Sequence, residues 1–447
     1  MMKKNILKNL TTCFCVITSV LLVNTSQAAL PIHEIKLQSG ARLFFVETRT
    51  IPMVDIGIDF MAGSFYDPPN KSGVSDMAAS LINRGAKISG QIKNESQIAD
   101  SISDKGASVS FSAAAESASL RIRALSRDDI VGPLITEVAD MVAYPSYDSK
   151  ILEREKSREI SALKEAQTKP EYMLSKQFKA MLYPHHPFGV SDTPETIAAI
   201  HVEDLKKFHH KYYQAARANV LIVGDLDQAH AIEIAERLTA KLPKSNELPE
   251  VIGEVVDQSG QNANREVRLS NPSQQAHIRI GMIGVPRNHP DYIPLMVGNY
   301  ALGGGGFVSR LMTEIREKRG LAYSVSSYFY PSKTTGTFIA GMQTKKDQAD
   351  QSLAVMRQTI EEFIETGPTE QELNAAKDNL VNGFPLRIDS NRKLLDNLSS
   401  IAWNGLPLDM LDHWTQEVQA VTREQVKQVF KKHLDMSRMI TVVVGAQ

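Results

Sequence analysis

Cysteine is almost missing from this 447-residue chain: Cys13 and Cys15 are the only two, and both fall within the first 28 residues. That excludes a disulfide scaffold and any thiolate zinc ribbon. An excess of charge of either sign is missing too, with 50 Lys and Arg against 51 Asp and Glu. Such a balance removes the compositional case for a nucleic-acid or membrane-surface binder. After residue 28 no apolar run reaches the length of a membrane span. There is no G-x-S-x-G elbow, and the run Gly303–Gly306 lacks the Gly-Lys-Ser/Thr that would complete a phosphate loop. What remains is a globular composition, 42% hydrophobic and 23% charged, on a chain long enough for two domains.

The first residues follow a separate logic. Lys3, Lys4 and Lys8 give a positive start, and an apolar run from Cys13 to Val23 follows. Ser26 and Ala28 then supply small residues at −3 and −1 of a cut after Ala28. This three-part pattern predicts a cleavable secretory signal over residues 1–28. The chain left after cleavage has no cysteine and suits a bacterial periplasm.

The rest of the chain repeats itself weakly. Residues 202–225 and 421–446 each read as an acid-started basic helix, a short link and a β-branched strand ending in glycine, Gly224 or Gly445. Earlier in each half come an apolar strand (Val54–Phe60; His277–Ile283) and a helix (Gly73–Asn83; Tyr292–Leu302). Alternating strands follow (Ala107–Ala124; Ala322–Gln343), then long amphipathic helices. Two copies of one α+β unit explain this order most economically. The polar stretch after Lys241-Leu-Pro-Lys-Ser-Asn-Glu-Leu-Pro249 reads as a linker, with the boundary near residue 255.

Around Gly63-Ser64 and Gly73-Val74-Ser75-Asp76-Met77-Ala78-Ala79-Ser80-Leu81 the chain resembles the inverted-zincin peptidases, the family of pitrilysin, insulin-degrading enzyme and mitochondrial processing peptidase. The resemblance continues through Pro184–Gly189 and the strand end Val220–Asp225. It is most specific in the string running from Gly303 through Ser309-Arg310-Leu311 to Arg316 and Tyr323-Ser324-Val325. It implies an α+β fold of two tandem homologous α/β sandwich domains, each a mainly antiparallel sheet packed by helices on one side. The domains would span residues 29–245 and 266–447, joined by a linker at 246–265.

In active relatives the helix after that glycine carries H-x-x-E-H. Imidazoles at i and i+4 share one helical face and hold a single zinc, while the carboxylate polarises water. On this sequence the first His position is Asp76, the Glu position Ala79 and the second His position Ser80. The family's third ligand, a Glu eight residues before a Pro, falls on Ala162 ahead of Pro170; sliding the alignment brings Glu155 or Glu159 instead. The resemblance therefore implies a degenerate zinc site, no metal held by this chain and no hydrolysis by it alone. Asp76 reads as a helix N-cap or first-turn acid. The adjacent pairs His185-His186 and His209-His210 read as surface and turn residues, because neighbours on a helix point apart.

The second half keeps what the first has lost. By the resemblance, Arg316 and Tyr323 hydrogen-bond a peptide near its scissile bond and help stabilise the oxyanion, as donors that strengthen when charge develops. Read without it, Arg316 is a solvated helix end and Tyr323 ordinary packing. Gly303, Gly304, Gly305 and Gly306 would let an extended peptide approach the backbone, and the sheet edges could accept it as an added strand. Some relatives divide these duties between a zinc-bearing chain and a zinc-less one. The resemblance thus implies the non-catalytic subunit of a periplasmic heterodimeric zinc peptidase. Zinc would sit on a homologous partner with intact H-x-x-E-H, and Arg316 and Tyr323 would act in trans on peptide substrates. The alternative is a non-enzymatic scaffold or peptide-binding protein of the same fold, able to form a homodimer.

Overall fold

The computed structural model describes residues 31–243 and 265–445. The expected signal peptide, both cysteines and all but the last residue of the expected linker lie outside the described residues. The first half forms β1 (His33–Lys36), β2 (Arg42–Glu47), β3 (Met53–Phe60), a small hairpin of β4 (Gly85–Ile88) and β5 (Gln91–Asn94), β6 (Ser108–Ala113), β7 (Ala118–Leu125) and β8 (Ala218–Gly224). The second half forms β9 (Glu266–Leu269), β10 (Gln275–Gly284), β11 (Ala322–Pro331), β12 (Gly336–Lys345) and β13 (Ile440–Val444).

Two sheets result, with the same wiring. One runs β6-β7-β3-β8-β2-β1 and the other β11-β12-β10-β13-β9. In each, the first four strands are mutually antiparallel and the next pairs in parallel, β2 beside β8 and β9 beside β13. The central strands are apolar on both faces: every residue of β8 and of β13 is buried. The glycines that end them have one cause. Gly224 and Gly445 have φ of +154° and +98°, and a Cβ there would collide with the carbonyls of Met53 and Gln275.

Each sheet has its own core of helices on one face. In the first half it includes Val74, Leu134, Val138 and Ile234; in the second, Leu295, Met356, Phe363 and Phe430. The other face takes one helix from the opposite half. The helix Asn391–Asn404 lays Leu394, Leu395, Leu398 and Ala402 on Phe44, Val46, Leu221 and Val223. The helix Pro170–Leu182 lays Leu174, Phe178 and Met181 on Ile440, Val442 and Val444. Each half thus lends the other a covering helix. One expected helix is also cut short: Tyr292–Asn299 passes into a π turn over Tyr300–Gly304, with the Gly305 amide reaching back five residues to the Tyr300 carbonyl at 2.8 Å.

Candidate functional site

The helix that would carry the zinc motif spans Val74–Ser80. Asp67 caps it from the preceding loop, its two carboxylate oxygens each accepting a backbone N–H, from Gly73 and from Ser75, at 2.8 Å. This corrects one half of the reading of Asp76, which is a first-turn acid and not the cap. Asp76 and Ser80 lie on the solvent side, one turn apart, while Ala79 is buried at 1% exposure.

Asp76 opens into a cleft shared with Ser72, Leu163, Tyr172, Lys176 and Asp192. The walls of the cleft crowd its carboxyl, and the charges of Asp192 and then Glu159 add to the effect, so its pKa rises to about 6. Asp192 itself accepts a hydrogen bond from the Ser72 hydroxyl. On the helix Ser149–Ala166, Ala162 is exposed, while its neighbour Leu163 lines the cleft and Glu159 lies within electrostatic reach of Asp76. The motif pointed to Asp76, Ala79, Ser80 and Ala162. It gave no signal for Asp67 in the preceding loop, nor for Tyr172 and Asp192, which arrive from distant segments.

These residues do not fit a zinc ion. The i and i+4 positions hold a carboxylate and a hydroxyl where imidazoles are needed, and a methyl group stands where the base would be. Among the described residues the one cluster of His, Cys, Asp or Glu with metal-like spacing is elsewhere, at His289, Asp291 and His433. Its donors are engaged: Asp291 Oδ2 is 2.7 Å from both Lys432 Nζ and His433 Nε2, and His289 Nδ1 accepts the Asp291 amide at 3.0 Å.

The histidine pairs need one correction. His185 and His210 are exposed, and His186 sits in a turn where Nδ1 accepts the Phe188 amide at 3.1 Å. His209 is not a surface residue: it is 6% exposed, stacks on Tyr213 and has Nε2 2.7 Å from the Val142 carbonyl. Burial holds it neutral, with its pKa lowered to about 4.

Arg316 and Tyr323 come together. Arg316 lies on a second π-helical segment, Met312–Glu317, where the Lys318 amide bonds the Thr313 carbonyl at 3.0 Å. Its Nη1 donates to the Tyr323 carbonyl at 2.7 Å, and its guanidinium lies 4.6 Å from the centre of the Phe307 ring. A bulge between Ala322 and Ser324 leaves Tyr323 without a partner on β12. The bulge turns the side chain outward on an edge strand, where it is 79% exposed. Phe307 was not foreseen, since nothing in a lone aromatic after a glycine run shows which cation it will meet.

The four glycines have different surroundings. A Cβ on Gly303 would collide with Ser327, one on Gly305 would come within 2.7 Å of the Tyr300 ring, and one on Gly304 would stand 3.0 Å from Asn299 Nδ2. Gly306 faces open space at φ +61°.

Comparison with known proteins follows the same lines. Residues 43–191 match the family described as "Insulinase (Peptidase family M16)", and residues 199–380 match "Peptidase M16 inactive domain". The crystal structure of the peptidase M16 inactive domain from Pseudomonas fluorescens superposes with a TM-score of 0.88 at 31% identity, covering 94% of this chain and 98% of that one. The chain belongs to peptidase family M16. This bears out the family and the α+β fold expected from the sequence, and within M16 the chain is an inactive homologue. It is also similar to the "Non-peptidase homolog YmxG" of Helicobacter pylori, 25% identical over 94% of this chain and 95% of that protein. In fold it resembles the periplasmic protease PqqL of Escherichia coli, with a TM-score of 0.79 at 17% identity over 93% of this chain and 45% of that one.

Proposed function

We propose that this M16 homologue is the non-catalytic subunit of a heterodimeric zinc peptidase in the periplasm. A homologous chain with intact H-x-x-E-H supplies zinc, base and water. This chain supplies Arg316 and Tyr323, which hydrogen-bond the peptide beside the bond being cut. The peptide lies along the β11 edge and passes the open backbone of Gly306.

The asymmetry between the halves carries this reading. Ala79 cannot accept a proton, whereas the Arg316 guanidinium is braced between the Tyr323 carbonyl and the Phe307 ring, with the Tyr323 side chain free beside it. A braced, solvent-facing donor suits a charge that develops on a carbonyl oxygen, because little reorganisation is needed when it appears.

Co-expression with a secreted, zinc-bearing homologue tests it. Peptide hydrolysis is expected from the two chains together and from neither alone. Arg316→Ala should lower kcat/KM about a hundredfold, the loss typical of a missing oxyanion donor, with the complex still forming. Undiminished turnover by a complex carrying both Arg316→Ala and Tyr323→Phe overturns the reading.

A further inference from the structure

A cleft of about 490 Å³ opens in the second half; neither Asp76, Arg316 nor Tyr323 lines it, and His289 of the His289–Asp291–His433 cluster stands in its wall. Its size is that of a small-ligand site. The walls are the segment after β10, the start of the helix Tyr292–Asn299 and the helix Met410–Ala420. Much of the lining is apolar, including Ile293, Leu406, Met410 and Val421.

Asp409 and Glu417 stand in the wall, and the one Lys or Arg among the lining residues is Arg287. It is half-buried, and its guanidinium stacks 4.4 Å from the centre of the Tyr292 ring. Its side chain's hydrogen-bond contact is the Met410 sulfur at 3.7 Å, and it makes no ion pair among the described residues. Burial lowers its pKa, and Glu417, which also lines the cleft, acts on it only from a distance. Asp409, the other acid in the wall, pairs with His413 at 3.3 Å. A second guanidinium, that of Arg387, reaches the same tyrosine with its field and lies 5.4 Å from the Trp414 ring centre. A partly desolvated guanidinium without a carboxylate costs stability, and its planar fork matches a carboxylate in bidentate geometry.

We propose that this cleft binds a carboxylate at the end of an apolar chain, with the Arg287 fork on the carboxylate and the Ile293–Leu406–Met410 wall on the chain. Two sources share that chemistry: the free C-terminus of a peptide ending in an apolar residue, and an aliphatic acid.

The test uses the full chain and three probes: acetyl-Ala-Ala-Leu as the free acid, the same peptide as its amide, and octanoate. Binding is read by calorimetry and by the fluorescence of Trp414, which sits beside Arg387. The free acid should saturate, and the amide should bind at least about tenfold more weakly, as expected for a lost charge-assisted bond. Octanoate binding as well as the peptide acid assigns the site to aliphatic acids, and peptide acid alone assigns it to peptide ends. Arg287→Gln should weaken the acid at least about tenfold with the thermal midpoint retained. Arg287→Lys, which keeps charge without the fork, should fall between, and the exposed change Arg387→Gln should cost less than Arg287→Gln. Should Arg287→Gln fail to fold, Arg287→Lys and Arg387→Gln decide, and undiminished affinity in both overturns the proposal. So does equal binding of acid and amide, undiminished affinity in a folded Arg287→Gln variant, or no saturation by either acid at millimolar concentration.

Discussion

Asp67 and His209 are both pulled from their ordinary pKa values by burial, in opposite directions. Asp67 accepts two backbone N–H groups, which favour its charge, yet burial outweighs them and raises its pKa to about 7. The folded chain therefore keeps a proton that the unfolded chain has released from about pH 4 upward, and this group's contribution to stability falls as pH rises toward 7. Asp67→Asn should gain on the parent protein between pH 5 and pH 8 in urea unfolding; a difference that stays flat with pH would contradict this. His209 works the other way. Its pKa is lowered to about 4, so the unfolded chain takes up a proton below its ordinary 6.5 while the folded chain does not. Its contribution is complete above pH 6.5 and is lost as pH falls toward 4, by about 3 kcal/mol. His209→Gln, whose amide can still donate to the Val142 carbonyl, should remove that acid loss. The two groups oppose each other between these limits, so single variants separate them where the parent curve cannot.

At the scale of elements, the glycine run is the sharpest test. Gly303 lies against Ser327, which is fully buried and donates to Asn299 Oδ1 at 2.6 Å while its carbonyl accepts Asn299 Nδ2 at 2.9 Å. Gly303→Ala has no room and should cost about 1–3 kcal/mol in guanidinium unfolding. Gly306→Ala meets only the strain of φ +61° and should cost about 1 kcal/mol. The same contrast marks what could be read from the sequence. Val220–Val223 announces a strand because its apolar run is unbroken, and Val54–Phe60 because Val54, Ile56, Ile58 and Phe60 alternate with Asp and Gly. Asp76, Ala79 and Ser80 are marked by the family resemblance around one motif, and Arg316 and Tyr323 by the resemblance around another. The π segments are not marked, since the Asn299–Ser327 pairing that accompanies the first depends on a strand 28 residues away. Asp192 reaches Ser72 from 120 residues away, and the Arg316–Phe307 stack depends on how the intervening loop closes. Local propensity carries no information about any of these.

At the scale of the whole molecule, the crossed helices decide how the halves depend on each other. An amphipathic helix shows that it has an apolar face, but not which sheet will receive it, so the exchange was not legible in the sequence. The helix Asn391–Asn404 covers β8 and β2 with Leu394, Leu395 and Leu398, and Ser399 adds a hydrogen bond to buried Asp59, which Arg121 also holds at 2.6 Å. The helix Pro170–Leu182 covers β13 in return, and Glu171 fixes its start to Arg279 on β10 at 2.5 Å. Residues 29–245 alone would leave the Phe44–Val46–Leu221–Val223 face bare, and residues 266–447 alone would bare Ile440, Val442 and Val444. Exposed faces of this kind drive aggregation or loss of fixed packing. Each fragment expressed alone should therefore be insoluble or lack a cooperative thermal transition, and co-expression should restore one. Leu398→Ala removes a side chain that is 1% exposed in the exchanged interface, and should cost about 2–5 kcal/mol. Because that interface joins the halves, the loss should lower a single transition rather than split it in two. A protease site inserted between residues 246 and 264 gives the complementary measurement: after cutting, both pieces should elute together at the parent's size. Separate elution, or a fragment 29–245 that melts like the intact chain, would mean that the exchanged helices are not what binds the two halves.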